Sequence, residues 1–316
     1  MNEIAAKLSR IGIIPSIKFN DVTEAQKAFK IFHGNGIGVV QIDFSAEFTK
    51  ETVEQLIKAY PDIIIGAGTI LNIKQAAAAI DAGALFITSN GLNEEVVRYC
   101  LSRGTFVIPG ISSPTEIETA LALGVDILKF TPAAQCGGFE MIKVLSLMYP
   151  QVSFIPSGSI TKDNMNSYLA IPKVIAVNIG FAINPDYEAA LLEVRSYVDK
   201  MLDFSLRHIG MNCADEEVAT ETSEKLLNSF SFGRRDAGVS YFMAESFELM
   251  KAIGRGTYGH IAIATPDVDR AVYYLEHRGV KFDYTTVKYD KDNKLFFVYL
   301  EDEIAGFAYH LVRYIK

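Results

Sequence analysis

Short apolar runs recur through the first two hundred residues at intervals of about 20 to 25 residues, and a stretch with helical periodicity follows each run. This alternation is typical of repeated βα units that form a parallel sheet. The runs predict eight strands, at residues 11–19, 39–44, 63–69, 85–89, 106–111, 127–131, 153–156 and 174–179. Eight βα units indicate an α/β fold, the closed (β/α)8 TIM barrel.

A doubly wound open sheet shows the same alternation of strands and helices. That fold usually carries a glycine-rich turn after its first strand, whereas residues 18–22 here read KFNDV. The pattern therefore favours the barrel. In a barrel the chemistry lies at the C-terminal ends of the strands. The polar candidates at these ends are Lys18, Gln41, Asp43, Ser45, Thr69, Asn90, Lys129, Thr131 and the 156–160 loop.

Lys129 interrupts the apolar sixth strand, within the sequence DILKFTP of residues 126–132. Side chains alternate along a strand, so Lys129 shares a face with Ile127 and Thr131 and points into whatever that face encloses. A desolvated lysine has a lowered pKa and is the nucleophile that forms Schiff bases with carbonyl substrates. The alternative is a lysine at the strand end that extends to solvent or pairs with a carboxylate.

Composition narrows the classes of function. The 316 residues are 49% hydrophobic and 22% charged, which suits two domains with packed cores. The formal net charge is −8, and no basic cluster indicates a nucleic-acid partner. Three cysteines without paired spacing indicate reduced thiols. The sequence shows neither a signal-peptide pattern nor a membrane-spanning run, so we expect a cytoplasmic protein without a membrane partner.

The rhythm of the sequence changes near residues 204–207, where β-rich pieces begin to surround single helices. We therefore predict two domains, residues 1–204 and residues 205–316. The second contains an internal duplication, in which a strand, a helix (215–229, then 267–278) and further strands occur twice. It is predicted to be an α+β domain of paired βαβββ modules.

Four polar residues occupy equivalent places in the two modules. His208 and His260 lie in the first strand of each module, and Glu248 and His310 lie in the last. Imidazole and carboxylate ligands together suit a divalent transition metal with open coordination positions. The alternative is a set of strand histidines that hydrogen-bond across the sheet. The equivalent positions predict that the four side chains converge in one cleft, where they would hold the metal.

Motifs at the predicted strand ends carry a resemblance to a known family. Residues 66–69 read GAGT, residues 128–132 read LKFTP, and residues 156–160 read PSGSI. With their spacing, these motifs resemble the 2-keto-3-deoxy-6-phosphogluconate and 4-hydroxy-2-oxoglutarate (KDPG/KHG) aldolases, compact class I barrels. The resemblance covers residues 1–204 and implies a homotrimer that cleaves a 2-keto-3-deoxy or 4-hydroxy-2-oxo acid to pyruvate and an aldehyde, without a cofactor. It makes Lys129 the Schiff-base lysine and Thr69 the hydroxyl that binds the pyruvyl carboxylate.

The sequence departs from this family at the second strand. The family's acid/base glutamate is Gln41 here, and an amide does not titrate near neutral pH, so the resemblance implies reduced activity. Asp43 faces the same way two residues later, and it either replaces the base or caps the barrel mouth. The family arginine near position 45 is Ser45, and Lys18 can supply the positive charge instead. Thr131 replaces an aromatic residue that lines the pocket in many relatives.

The end of the site that binds phosphate in the family is altered as well. After the seventh strand, Ser157 is followed by Gly158 and Ser159 in place of paired glycines. After the eighth strand, the expected Gly-Gly-Ser becomes Asn178, Ile179 and Gly180. A phosphorylated and an unphosphorylated 2-oxo acid both fit this pattern. The missing glutamate and arginine leave a second function open, a 2-oxo acid-binding or regulatory protein.

The second domain resembles another family. Residues 259–265 read GHIAIAT, residues 278–282 read RGVKF, and residues 306–311 read GFAYHL. These phrases resemble the vicinal oxygen chelate fold of glyoxalases and dioxygenases, and specifically the domain fused behind this aldolase in some bacterial proteins. The superfamily's common glutamate is His310 here, which is also a suitable metal ligand.

Overall fold

The computed structural model describes residues 3–19, 21–43, 50–182 and 184–314. The chain divides into two compact units, Met1–Met201 and Leu202–Lys316. Within the described ranges, no helix combines the length and the apolar content needed to cross a membrane.

The first unit alternates strands and helices. Its strands are β1 (Ile13–Ile17), β2 (Val39–Asp43), β3 (Ile64–Gly68), β4 (Phe86–Thr88), β5 (Phe106–Ile108), β6 (Gly110–Ile111), β7 (Ile127–Phe130), β8 (Ser153–Pro156) and β9 (Val177–Gly180). Its helices are α1 (Glu3–Ile11), α2 (Val22–Gly34), α3 (Lys50–Ala59), α4 (Ile73–Asp81), α5 (Glu94–Ser102), α6 (Pro114–Ala122), α7 (Gly138–Met148), α8 (Met165–Leu169) and α9 (Tyr187–Leu202).

The strands of the first unit follow one another around a closed ring. Parallel pairing joins β5-β4-β3-β2-β1-β9 in one sheet and β6-β7-β8 in another. Pro109 alone separates β5 from β6, and the bridge between Ser157 and Asn178 joins the end of β8 to β9. The predicted (β/α)8 barrel is therefore confirmed. The predicted fifth strand is split because Pro109 has no N–H to donate, although its carbonyl accepts the Lys129 N–H at 2.9 Å.

The starts of two predicted strands lie two or more residues too early. Ile11, the predicted start of the first strand, instead ends α1, and Gly12 turns the chain at φ 76° before β1 begins. The predicted eighth strand also begins too early, because Val174 makes only an isolated bridge and β9 begins at Val177. Periodicity alone does not distinguish the last apolar residue of a buried helix from the first residue of a strand.

Local sequence accounts for the helices that surround the barrel. α2 begins where the Asp21 carboxylate accepts the Glu24 N–H at 2.8 Å, and it buries Ala25, Phe29 and Phe32 on one face. α6 begins with a capping box between Ser113 and Glu116, with a proline in its first turn. Such caps fix the residue at which a helix begins, and this limits the position of the strand end that precedes it.

The second unit contains two modules of the same order. The first has β10 (Ser205–Asn212), α10 (Glu216–Phe230), β11 (Arg234–Asp236), β12 (Ser240–Met243) and β13 (Phe247–Met250). The second has β14 (Gly259–Thr265), α11 (Val268–His277), β15 (Phe282–Tyr289), β16 (Leu295–Leu300) and β17 (Phe307–Arg313). The predicted paired βαβββ modules are confirmed.

All strands of the second unit form one mixed sheet, in the order β11-β12-β13-β10-β14-β17-β16-β15. The first strands of the modules, β10 and β14, pair antiparallel at its centre. Each also pairs in parallel with the last strand of its own module, β13 or β17. Four central strands therefore carry the residues that the duplication makes equivalent.

Candidate functional site

Lys129 lies in β7 with its side chain enclosed by the barrel. Only 4% of the residue is exposed, and Nζ donates a hydrogen bond to Asn90 Oδ1 at 3.2 Å. Burial lowers the pKa of Lys129 to about 8, although the nearby charge of Asp43 opposes the shift. An appreciable fraction of the amine is therefore uncharged just above neutral pH, the form that attacks a carbonyl carbon.

A chain of hydrogen bonds connects polar side chains at the ends of β1 to β4. Thr88 Oγ1 donates to Gln41 Oε1 at 3.0 Å, and Gln41 Nε2 donates to Ser16 Oγ at 2.8 Å. Ser16 Oγ donates in turn to Asp43 Oδ1 at 3.2 Å. The same carboxylate oxygen accepts from Thr69 Oγ1 at 3.2 Å. The chain therefore ends on Asp43, the only carboxylate among its members.

Strand register brings this chain together. β1 and β2 place Ser16 opposite Gln41, and β2 and β3 place Asp43 opposite Gly68. The Gln41 side chain lies over Gly68, where an added Cβ would be 2.2 Å from Gln41 Nε2. Glycine in β3 therefore makes room for the buried amide.

A second polar group lies where β8 and β9 end. Ser157 Oγ donates to Asn178 Oδ1 at 2.9 Å, and Asn178 Nδ2 donates to the Ile14 carbonyl at 3.0 Å. Gly158 has φ 95° and lies against Pro132, so the loop turns tightly at this point. Ser159 follows at φ 57°, and its hydroxyl accepts a hydrogen bond from Gln135 Nε2 at 3.2 Å. The candidate residues of this loop are thus held in one conformation.

The remaining predicted residues of the barrel site are spread around its mouth. Thr131 is half-buried directly after β7, and Gly180 is exposed at the end of β9. Lys18 is exposed one residue beyond β1, and among the described residues no hydrogen bond or ion pair joins it to the other candidates. Ser45 lies outside the described residues.

Two polar residues of the barrel interior, Ser16 and Thr88, are absent from the sequence predictions, and Asn178 enters them only as a departure from the family motif. Thr88 and Asn178 are buried. Ser16 interrupts the apolar strand IIPSI in the same way that Lys129 interrupts β7. A serine in a strand is a weaker signal than a lysine, because a hydroxyl costs much less to bury than an ammonium group.

Three of the four predicted ligands of the second unit form a close group, and the fourth contacts two of them. His208, His260 and His310 each offer a ring nitrogen, and these atoms lie within 4.8 Å of one another. Glu248 Oε2 is 3.1 Å from Nε2 of His208 and 3.1 Å from Nε2 of His260. Three imidazole nitrogens therefore lie close together, and one carboxylate oxygen contacts two of these rings.

Strand register explains this convergence. Glu248 on β13 and His260 on β14 pair with Gly210 on β10 from its two sides. A Cβ at residue 210 would lie 2.1 Å from His260 Cε1, so the imidazole extends across the glycine towards Glu248. The other two histidines pair with Ala262 from its two sides, one row away. All four side chains consequently project from the same face of the sheet.

Hydrogen bonds fix the charge of Glu248. Burial alone would raise the pKa of this carboxyl, but hydrogen bonds from His208, His260 and Ser240 outweigh it and hold the pKa well below its usual range. Ser240 Oγ donates to Glu248 Oε1 at 2.6 Å, which leaves Oε2 to face the histidines. The centre therefore contains an ionised carboxylate.

His310 is the most deeply enclosed of the ligand candidates. Burial, followed by repulsion from His260 and His208, lowers the pKa of His310 to about 3, so the ring is neutral at physiological pH. Its Nδ1 is buried without a hydrogen-bond partner among the described residues. The Phe297 ring packs against it with centroids 4.4 Å apart. The buried Nδ1 therefore lies in a ring packed between aromatic side chains and the other two histidines.

Residues 4–189 match the family model described as KDPG and KHG aldolase. The chain belongs to this family. A 2-dehydro-3-deoxy-phosphogluconate aldolase of Treponema pallidum (strain Nichols) is 37% identical over 176 residues, which are 56% of this chain and 84% of the relative. An aldolase of the same name from Haemophilus influenzae is 34% identical over 174 residues, 55% of this chain and 82% of the relative.

Solved structures agree with this membership. A crystal structure of the Legionella pneumophila KDPG aldolase, with pyruvate captured at low pH as a covalent carbinolamine intermediate, is 32% identical. The match covers 62% of this chain and 94% of that one, with a TM-score of 0.56. The protein is therefore an aldolase, and the alternative of a 2-oxo acid-binding or regulatory protein is not favoured.

The second unit matches a different family model. Residues 194–308 match the Glyoxalase/Bleomycin resistance protein/Dioxygenase superfamily. This agrees with the mixed sheet of paired modules. The KDPG/KHG aldolase barrel is thus followed in one chain by a glyoxalase-like domain.

Replacing Lys129 with methionine tests the energetic effect of its burial. A pKa of about 8 in the folded protein, below the ordinary 10.5, destabilises the fold by about 3 kcal/mol while the amine is charged. Because the folded pKa is lowered, this cost is complete well below pH 8 and vanishes as the pH rises towards 10.5. We expect Lys129→Met to raise the free energy of unfolding by roughly 2 to 3 kcal/mol at pH 7 and far less at pH 10, measured by urea denaturation.

Lys162 provides the control, because it is an exposed lysine of the same unit. Lys162→Met should leave stability almost unchanged at both pH values. A Lys129→Met protein whose stability relative to wild type does not depend on pH would contradict a lowered lysine pKa.

Proposed function

We propose that Lys129 is the lysine that forms a Schiff base with a 2-oxo acid substrate. The observation that carries this proposal is a lysine enclosed by the barrel with a pKa of about 8. The Legionella relative, which captured pyruvate as a covalent carbinolamine, supports the same type of chemistry. The substrate class is a 2-keto-3-deoxy or 4-hydroxy-2-oxo acid, cleaved to pyruvate and an aldehyde.

In the cleavage direction, Lys129 Nζ attacks C2 of the substrate, and loss of water gives a protonated imine. A base takes the proton of the C4 hydroxyl while the C3–C4 bond breaks, and the electron pair of that bond moves into the imine to give an enamine. The aldehyde leaves, C3 regains a proton, and water releases pyruvate and the free amine. These steps use side chains and water, with no cofactor.

We assign the base to Asp43. Gln41 occupies the position of the family glutamate, but its amide cannot accept a proton near neutral pH. The Asp43 carboxylate is close enough to Lys129 to affect the pKa of the lysine. The expectation of lower turnover than in relatives with glutamate at position 41 stays a prediction.

The two ends of the substrate would meet different polar groups. Thr69 is the proposed partner of the pyruvyl carboxylate, and its hydroxyl would leave Asp43 for the substrate on binding. Lys18 and Asn90 would contribute at the same end, with Thr131 along the pocket wall. Ser157, Gly158, Ser159 and Gly180 would bind the distal end. Parallel assays with a phosphorylated and an unphosphorylated 4-hydroxy-2-oxo acid will identify which substrate this end accepts.

Borohydride reduction in the presence of pyruvate tests the lysine directly. Reduction should trap a pyruvyl adduct, and peptide mass spectrometry should locate it on Lys129. The trapping rate should rise as the pH passes through about 8, because the uncharged amine is the nucleophile. Lys129→Met should lose the adduct, whereas Lys162→Met should retain it. An unmodified Lys129 under saturating pyruvate would remove the proposed function.

For the second unit, we propose that His208, Glu248, His260 and His310 hold a divalent transition metal. Their donor set fits such an ion, since it combines an ionised carboxylate with imidazoles, one of which has a buried Nδ1 with no hydrogen-bond partner in the described part of the chain. A metal held here would act as a Lewis acid towards neighbouring oxygens of a ligand. Glu248 and the histidines would hold the ion, and the aromatic rings around His310 would restrict water.

Metal analysis of protein purified without chelator is the experiment for this centre. We expect about one equivalent of a divalent ion per chain, lost in His208→Ala and His260→Ala. Gly210→Ala should also lower the affinity, because its methyl group would displace the His260 ring. His33→Ala should retain the metal, since His33 lies in the barrel unit and binds Asp62. Failure to bind added zinc, nickel, manganese or iron would leave a domain without a metal role.

We also propose that the barrel assembles as a homotrimer, as the family resemblance implies. α7 supports association because it exposes apolar side chains at helical spacing, with Leu147 84% exposed and Val144 52% exposed. Light scattering should give about three chains per particle, and Leu147→Glu should reduce it to one by placing charge in the buried contact. A wild-type monomer would contradict the proposal.

A further inference from the structure

The hydrogen-bond chain that ends on Asp43 has a fixed direction. Thr88 and Ser16 each have a single hydroxyl proton, and Gln41 offers one oxygen and one amide nitrogen to them. The Thr88 proton goes to Gln41 Oε1, and Gln41 Nε2 donates to Ser16 Oγ. Ser16 then has its proton available for Asp43 Oδ1. Each donor in the chain is therefore paired with one acceptor.

The opposite orientation of the amide would break this pairing. With Gln41 Oε1 facing Ser16, the serine would have to donate its only proton to the amide. Its oxygen lone pairs would then face the Asp43 carboxylate at 3.2 Å without a hydrogen between them. The carboxylate thus selects one orientation of Gln41, and Gln41 in turn makes Ser16 a donor to Asp43.

The two oxygens of Asp43 are consequently different. Oδ1 accepts hydrogen bonds from both Ser16 and Thr69. No described residue donates a hydrogen bond to Oδ2. A carboxylate held through one oxygen keeps its orientation and presents the other oxygen to accept a proton. This difference between the two oxygens depends on Ser16. Thr69 alone does not fix the orientation of the carboxylate, and Thr69 is also the proposed partner of the substrate.

We infer that Ser16 is a positioning residue for proton transfer, which holds Asp43 as the acid/base group in a barrel where Gln41 replaces the usual glutamate. The inference rests on the proposed Schiff-base function. In this arrangement the imine forms at Lys129. During exchange, the C3 proton goes to Asp43 and the C3–H electron pair moves into the imine. During cleavage, the C4-hydroxyl proton goes to Asp43, the O–H pair becomes part of the aldehyde carbonyl, and the C3–C4 pair moves into the imine. Gln41 contributes by orienting Ser16 and transfers no proton itself.

A glutamate at position 41 would change this arrangement rather than restore the family's. Its carboxylate would accept hydrogen bonds from Thr88 and from Ser16, so Asp43 would lose the serine proton. Two carboxylates would then share one serine, and like charges so close together disfavour ionisation of both. Gln41 and Ser16 therefore belong together as the partners that this aspartate requires.

The test separates imine formation from proton transfer, using the full chain with pyruvate. Borohydride trapping reports the imine on Lys129, and loss of pyruvate methyl protons in D2O, followed by NMR, reports removal of the C3 proton. Ser16→Ala should trap pyruvate as wild type does but exchange methyl protons about tenfold more slowly. The acidic limb of its exchange profile should move to higher pH, because the carboxylate loses a hydrogen bond to its charged form.

Matched variants show whether the effect comes from the hydroxyl. Ser16→Thr retains a hydroxyl and should recover most of the exchange rate and the wild-type pH profile. Ser153→Ala removes a half-buried barrel serine at the opposite end of a strand, and it should leave both readouts unchanged. Asp43→Asn should abolish exchange while trapping continues.

The possible failures are distinguishable. Absence of trapping in the wild-type protein would overturn the proposed function itself. Trapping together with full exchange in Asp43→Asn would overturn Asp43 as the base, and the Ser16 role with it. Loss of exchange in Asp43→Asn, with a wild-type rate and pH profile in Ser16→Ala, would overturn the positioning role alone.

Discussion

Enclosure of an ammonium group by parallel strands is the constraint on which the aldolase unit depends. The neighbours of Lys129 in β7 are Ile127, Leu128 and Phe130, all buried, and a lysine in such a strand lowers stability while it is charged. The ring of strands makes this possible, because the strands on either side of the lysine also bury apolar residues. An exposed lysine would keep its ordinary pKa and be almost fully protonated at neutral pH. The burial that makes Lys129 a nucleophile therefore also lowers the stability of the barrel.

The Asp43 carboxylate moderates this conflict. Its charge raises the pKa of Lys129 while burial lowers it, and the balance lies at about 8. A carboxylate within the barrel needs donors of its own, and Ser16 and Thr69 supply them. Ser16 in turn accepts a hydrogen bond from Gln41, and Gln41 accepts one from Thr88, so the Ser16 proton remains available for Asp43. Burying one lysine thus requires a set of polar side chains on four neighbouring strands.

The sequence predicted the features that follow from hydrophobic periodicity and from residues that are costly to bury. Alternating apolar runs predicted the barrel, and the duplicated pattern of strands predicted the paired modules, since burial of one face imposes these repeats. Lys129 was identifiable because an ammonium in an apolar strand is rare. Ser16 and Thr88 were not, because a hydroxyl acquires a role only through its neighbours. Those neighbours follow from strand register, such as the pairing of Ser16 with Gln41, which an apolar pattern does not encode at residue resolution.

The same limit applies to glycine, and it explains how both units hold large polar side chains in a sheet. Side chains on adjacent strands normally stand beside one another, and a long amide or an imidazole cannot lie across a neighbouring strand that carries a Cβ. Gln41 crosses at Gly68 in the barrel, and His260 crosses at Gly210 in the glyoxalase-like domain. Neither glycine has a positive φ, so its role is space rather than backbone conformation. From the sequence alone, such a glycine is a residue that weakens its strand. Its role is evident only when the residue opposite it is known. Each of these sites therefore depends on a glycine, which has no side chain, as much as on the polar side chains around it.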